Sequence, residues 1–212
     1  MPPFEALLPF LFGLLVLQLS PGPDMLLILD RGIAHGAKVA FSTIAGIVLV
    51  AGAVQIAMLV FGFGALIRSH PAFMPLLRSA GAAYLCYLGI RMLTTRLRAP
   101  DLVAVRPAGL GDALWEGAVS SLTNPKSFLF LFVVLPQFVD PRAGPVWLQM
   151  LVLGILHKLA GAVTLGSVAL LAGRIGGWMR RWPRVLPIQR NLCGLVMIGL
   201  SAALATRIPY AP

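Results

Sequence analysis

Two long apolar segments of this chain are each interrupted by a proline followed directly by one charged residue. In the first, the motif SPGPD at residues 20–24 separates the apolar runs 10–19 and 25–29. In the second, TNPK at residues 123–126 does the same, and aligning the prolines pairs an aspartate with a lysine. Proline removes a backbone donor, and in lipid the freed groups need partners within the protein or a water-filled cavity. Paired interruptions in two halves of a chain indicate the binding site of a small transporter.

The composition places these segments in a membrane protein. Of 212 residues, 58% are hydrophobic and 11% are charged, against about 25% charged residues in a typical soluble domain. A helix needs roughly 20 mostly apolar residues to cross a bilayer. Six segments meet this requirement, at about 4–28, 40–66, 72–93, 113–138, 147–172 and 190–207.

The basic residues between these segments predict the topology. With the N-terminus outside, four arginines fall in outer loops and eleven basic residues fall in inner loops, while Lys126 and Lys158 lie within spans. Because Lys and Arg accumulate in cytoplasmic loops, both termini are expected outside, with three spans in each half. An odd number of spans per half places the two halves in opposite orientations.

The predicted fold is an all-α integral membrane protein with six transmembrane helices, arranged as two inverted three-helix repeats, in which the first and fourth helices are broken. The first repeat covers residues 1–94, a cytoplasmic linker covers 95–112, and the second repeat covers 113–212. The net charge of +10 belongs to the loops and does not indicate nucleic-acid binding. The N-terminus lacks the features of a secretory signal, so the first segment is expected to remain in the mature protein.

Asp24 and Lys126 are the main functional candidates. A charge at the bilayer centre costs about 2.5–3.5 kcal/mol, and such residues commonly mark a substrate or ion pathway. Each follows a break, near a helix N-terminus that favours an anion. The helix at Lys126 could bind the carboxylate of an amino acid, and Asp24 could bind its ammonium group and carry a proton. A static ion pair between the two, or a helix cap by Asp24, would explain them structurally.

Other polar residues in the spans admit two interpretations each. Asn124 could bond the backbone opened by Pro125 or contact a substrate, and Gln55, near the middle of the second span, needs a polar partner in lipid and is a pathway candidate. Tyr84 on the third span suits an aromatic wall of the pathway or ordinary packing. Bonding to nearby backbone is expected for Ser20, Thr123 and Ser127.

A histidine and a lysine, His157 and Lys158, lie together in the fifth span. Adjacent helical residues point about 100° apart, so at most one is expected to face the pathway if the other faces a neighbouring helix. His157 could relay protons near neutral pH or pack as a hydrogen-bonded histidine. Lys158 would need a carboxylate or carbonyl partner.

Three sequence blocks resemble the LysE/RhtB family of amino-acid exporters. The first is SPGPD with the glycines that follow it, Gly32, Gly36 and Gly46. The second is GAAYLCYLGIRML at residues 81–93, and the third combines residues 115–117, NPK at 124–126 and LPQF at 135–138. The blocks occur in order across essentially the whole chain, which makes them more specific together than singly.

The resemblance implies a six-span exporter of the bacterial inner membrane that moves amino acids outward in exchange for protons, with no enzymatic reaction and no cofactor. Its functional core would comprise Asp24, Lys126, Pro21, Gly22, Pro23, Asn124 and Pro125. The His157–Lys158 pair departs from the apolar fifth span expected of the family. Since two cations and one acid suit lysine or arginine poorly, a neutral amino acid or a homoserine-like compound is favoured. The bilayer, protons and a second copy in a homodimer are the expected partners.

Other classes of function remain possible at this point. A metal-cation or other small-molecule exporter is disfavoured because the sequence has no His/Asp/Cys cluster with ligand spacing. A thiol-redox conduit would use Cys86 and Cys193, which lie one in each half and are otherwise expected as free thiols. A structural subunit would not need paired breaks. An enzyme is disfavoured because no nucleophile–base arrangement is present.

Overall fold

The computed structural model describes residues 4–63, 73–94, 109–181 and 185–206, and the regular structure in these ranges is helical. The prediction of an all-α fold is therefore confirmed for the described residues. In chain order the helices are α1 (Phe4–Leu19), α2 (Pro23–His35), α3 (Ala37–Ala45, continued by a π-helical turn at Gly46–Val50, an α-helical segment at Ala51–Ala57 and a π-helical turn at Met58–Phe63), α4 (Phe73–Thr94), α5 (Leu110–Thr123), α6 (Pro125–Phe138, ending in π- and 3-10-helical turns), α7 (Val146–Arg181) and α8 (Val185–Thr206).

The first and fourth predicted spans are both broken in the structure. The axes of α1 and α2 differ by 48°, and those of α5 and α6 differ by 54°. Pro23 and Pro125 each occupy the first turn of the second helix of their pair, where the missing N–H would have no intrahelical partner. The preceding residues, Gly22 and Asn124, are extended and separate the two helices of each pair.

Two helices, Ala37–Gly62 and Val146–Gly177, are each long and apolar enough to cross a membrane, and the two broken pairs raise the candidates to four. Helices are also present at the third and sixth predicted positions, where α4 and α8 each contain 22 residues. The arrangement as six spans in two inverted repeats stays a prediction. Most of the predicted linker, residues 95–108, lies outside the described residues.

Close helix crossings join the two halves of the chain. Helix α3 packs against α5, and α4 packs along α8. A side chain at Gly46 would collide with the main chain of α5 at Leu114, and one at Gly117 would collide with the main chain of α3 at Thr43. Only glycine allows backbones to approach this closely. The crossing therefore fixes α5, and with it the second break, against α3.

Two apolar clusters flank the breaks. One joins α1 to α6 and α7, with Phe10, Phe130 and Met150 among its buried members. The other joins α2, α3 and α7, with Ile28 and Ile44 fully or almost fully buried. Polar side chains collect between these clusters, where both breaks meet α3 and α7.

Candidate functional site

A small cavity lies between the two broken helices, α3 and α7. Its volume is about 40 Å³, which is enough for ordered water but far below the about 300–1,000 Å³ of a typical small-molecule site. Among the residues singled out from the sequence, the lining includes Gly22, Asp24, Asn124, Lys126, His157 and Lys158.

The Asp24 carboxylate, in the first half of the chain, contacts residues of the second half. It is 9% exposed and accepts hydrogen bonds from the hydroxyls of Ser120 at 2.8 Å and Ser127 at 3.4 Å. The helix cap of α2 is Gly22, and Asp24 lies in the first turn, so the alternative of a cap by Asp24 is wrong. The expectation that Ser127 bonds nearby backbone is also wrong, because its hydroxyl serves the carboxylate on α2.

Lys126, in the second half of the chain, contacts the break in the first half. Its Nζ donates a 2.6 Å hydrogen bond to the main-chain oxygen of Ser20, at the end of α1. Its stem lies against Gly22, where a side chain would come within 3.2 Å of Cδ. In the described part of the chain the recorded ion pair joins Arg31 to Glu116, so the alternative of a direct Asp24–Lys126 ion pair is not seen here. Each charge instead bonds neutral groups at the opposite break.

Asn124 and Tyr84 organise the second break. The Asn124 Oδ1 accepts from the Lys126 N–H at 3.0 Å and caps α6, as expected for a residue that satisfies opened backbone. The Tyr84 hydroxyl donates to the Pro125 carbonyl at 3.2 Å, so Tyr84 supports the break from α4 without lining the cavity. Thr123 bonds the Val119 carbonyl at 2.8 Å, as predicted.

At the first break, side chains from the second half of the chain bond the main chain: Gln189 donates to the Leu19 carbonyl at 2.8 Å and Lys126 donates to the Ser20 carbonyl. Pro21 is half-buried and Pro23 is exposed. The Ser20 hydroxyl donates to the Met92 sulfur at 3.7 Å rather than to backbone, contrary to the prediction. The prolines therefore shape the chain here, while the polar groups of the cavity come from their neighbours.

Lys158 is bonded by Gln55. The Lys158 Nζ donates to Gln55 Oε1 at 2.5 Å, and Gln55 Nε2 donates to the Ser121 carbonyl at 3.0 Å. Gln55 is fully buried and Lys158 is 7% exposed. Gln55 thus has the polar partner that its place in an apolar span requires, and it acts behind the cavity wall by holding Lys158.

His157 also lines the cavity, contrary to the expectation that at most one of the pair would do so. Its ring stacks on Phe130 with centroids 5.2 Å apart, and within the described ranges its buried Nδ1 has no hydrogen-bond partner. The 100° between neighbouring positions is small enough for both side chains to border one cavity where α7 faces both breaks.

Three polar residues that the sequence analysis did not single out belong to the same site. Ser120 bonds Asp24, Ser121 lines the cavity with a buried hydroxyl that has no partner among the described residues, and Gln18 donates to the His157 carbonyl at 3.4 Å. Each is a polar residue within an apolar segment, next to a break. Their polar character within apolar segments could have been noticed in the sequence. The sequence does not show which groups these three side chains contact.

The site therefore presents one carboxylate and two ammonium groups around a water-sized space, and it is bordered by apolar side chains. Opposite charges in one cavity suit a zwitterion. A family model described as LysE type translocator matches residues 15–207. The chain belongs to the LysE type translocator family. The predicted resemblance is confirmed, and so is the prediction of a transporter rather than an enzyme.

Similar proteins match over almost the whole chain. An uncharacterized membrane protein of Vibrio cholerae is 32% identical over 94% of this chain and 96% of its own length. A leucine efflux protein of Klebsiella pneumoniae is 30% identical over 94% of both chains, and one of Salmonella typhimurium is 27% identical over 93% of both. No solved structure matches. This LysE type translocator is a multi-pass membrane protein.

Proposed function

We propose that the chain is a secondary active exporter of neutral amino acids, coupled to protons, in the bacterial inner membrane. The observation that carries the proposal is that the two breaks meet at one cavity, where Asp24 comes from one half and Lys126 from the other. Two relatives at 27–30% identity are named leucine efflux protein, which favours leucine among neutral amino acids over homoserine-like compounds.

The proposed binding mode follows from the charges. The substrate carboxylate is placed at Lys126, at the N-terminus of α6, where the ammonium group and the helix dipole favour an anion. The substrate ammonium is placed at Asp24. An apolar side chain is placed against the cavity residues Leu17, Met25, Ile47 and Leu165. Both charged ends of a zwitterion then find partners, which compensates for their loss of water.

The proposed cycle uses Asp24 as the proton carrier. Facing inward, Asp24 releases a proton and binds the substrate ammonium; facing outward, protonation of the carboxylate expels it. When the substrate is absent, the Asp24 carboxylate accepts hydrogen bonds from the Ser120 and Ser127 hydroxyls.

The proposed framework is six spans in two inverted repeats, with residues 1–94 and 113–212 as the repeats, 95–112 as a cytoplasmic linker and both termini outside. Transporters of this kind work by rocking one repeat against the other around a central site. The similar bends of 48° and 54° in the two halves support this framework. A homodimer is the proposed assembly.

Efflux from proteoliposomes tests the function. Vesicles are loaded with a panel of amino acids, and efflux is followed with and without a pH gradient. We expect efflux of leucine and similar neutral amino acids that the gradient stimulates. In Asp24→Asn the stimulation by the gradient should disappear. Asp30→Asn, the same change farther along α2, is the matched control and should retain it.

Each outcome of this experiment is informative. Full gradient-stimulated efflux by Asp24→Asn would exclude Asp24 as the proton carrier. An absence of efflux for every amino acid would reject the proposed cargo and direct the assay to metal cations. Loss of transport in the Cys86→Ala/Cys193→Ala double variant would favour a thiol-redox function. These two thiols are free and do not line the cavity.

A further inference from the structure

Lys158 is a buried cation whose recorded hydrogen-bond partner is neutral. Its ammonium bonds the Gln55 side-chain oxygen, and within the described ranges no carboxylate lies within ion-pair distance of it. Burial of an ammonium without a counter-charge is costly, and such residues in a span commonly belong to a transport pathway. The position of Lys158 on the cavity wall therefore requires an explanation beyond packing.

Two residues of helix α3 contact Lys158. Gly52 lies beside the stem, where a side chain would come within 3.3 Å of Lys158 Cδ and Cε. Gln55 lies one turn along the same face. Its side-chain oxygen accepts the hydrogen bond from the Lys158 ammonium, and its amide nitrogen donates to the Ser121 carbonyl. The methylene stem of Lys158 is therefore positioned by Gly52, and its ammonium group by the Gln55 amide. Both contacts fix the position of the charge beside the cavity.

Lys158 lines the cavity together with apolar residues. On α7, Gly161 and Leu165 follow Lys158 at positions i+3 and i+7 and also line the space, and on α3 Val48 lies one turn before Gly52. A substrate side chain resting on this apolar surface is close to the Lys158 charge. A hydrocarbon side chain tolerates that neighbour, whereas a cationic one is repelled.

We propose that Lys158 is the specificity-determining residue that excludes amino acids with cationic side chains from this site. The inference rests on the proposed function, because it concerns the substrate of the same exporter. With Lys126 and Lys158 the cavity already holds two ammonium groups against the single Asp24 carboxylate. A neutral amino acid adds no net charge, while a diamino acid adds a third ammonium that no group in the cavity compensates.

Efflux of norleucine and lysine from proteoliposomes tests the inference, since the two differ mainly by the terminal ammonium. Wild-type protein should export norleucine and leucine and discriminate against lysine. In Lys158→Met, which keeps length and removes charge, the lysine-to-norleucine efflux ratio should rise about tenfold or more. Lys158→Arg should keep the wild-type ratio. Lys38→Met removes an exposed lysine and should leave the ratio unchanged.

A second variant protects the test against misfolding. Lys158→Met leaves the buried Gln55 oxygen without its donor, so the second variant is Lys158→Gln, which removes the charge, keeps a side-chain N–H donor and leaves the bond from Gln55 to the Ser121 carbonyl in place. It should show the same raised ratio. An unchanged ratio in folded variants overturns the inference and leaves the proposed export of neutral amino acids standing. Efficient lysine export by the wild type overturns the inference together with the proposed restriction to neutral amino acids. If the wild type exports no amino acid, the proposed function and the inference both fail.

Discussion

The side-chain nitrogen of Lys126 and the main-chain oxygen of Ser20 lie 2.6 Å apart, so a lysine at the start of α6 holds the end of α1. The two residues are 106 positions apart in the chain. This hydrogen bond connects the two breaks directly and satisfies a carbonyl that the interrupted helix leaves open. The broken helices are thereby coupled at the cavity.

Replacement of Lys126 should impair both stability and transport. In Lys126→Met the Ser20 carbonyl loses a charged donor, and a hydrogen bond of that kind contributes about 1.5–3 kcal/mol. We expect a lower unfolding temperature in detergent and strongly reduced leucine efflux. Lys38→Met, on the exposed part of α3, is the matched control. Wild-type melting and efflux in Lys126→Met would contradict the role of this hydrogen bond.

The cap of α6 gives a second prediction. Asn124→Ala removes the acceptor for the Lys126 N–H and should cost about 1 kcal/mol of stability. Asn124→Ser keeps an oxygen at the cap and should recover most of the loss. Thermal unfolding of the three purified proteins in one detergent measures the difference. Equal stability of the alanine and serine variants would show that the cap contributes little.

The crossing of α3 and α5 gives a third prediction. A methyl group at Gly117 would collide with the Thr43 carbonyl, so Gly117→Ala should force the helices apart and destabilise the protein by about 1–3 kcal/mol or more. At Gly173 on α7 the same substitution meets open space and should be neutral or slightly stabilising. The two variants are compared by thermal unfolding, and similar melting temperatures would contradict the close crossing.

The ion pair between Arg31 on α2 and Glu116 on α5 gives a fourth prediction. The two side chains are 2.5 Å apart, and Glu116 is 40% exposed, so solvent screens part of their interaction. A double-mutant cycle with Arg31→Gln and Glu116→Gln should give a coupling energy of about 0.5–1 kcal/mol. Additive effects of the single substitutions on unfolding would show that the two residues act independently.

From the sequence, the helical character of the apolar segments and the positions of the two breaks could be predicted, although helices α2 and α7 extend beyond the predicted ends to His35 and Arg181. Apolar length sets the spans, and Pro23 and Pro125 act on the backbone beside them, so both effects are local and visible in one segment at a time. The same locality made Asp24, Lys126 and Lys158 recognisable, because a charge in an apolar segment is conspicuous whatever its partner.

The partners of these charged groups could not be predicted from the sequence, because they depend on how distant helices pack. Asp24 bonds serines on the other half instead of Lys126, Lys126 bonds the Ser20 carbonyl, and Lys158 bonds the amide of Gln55. Helical periodicity orders the faces of one helix, but it carries no information on which distant face packs against it. Those contacts depend on crossings such as that of α3 and α5, where backbone shape and packing over the whole fold choose among many partners that are equally polar.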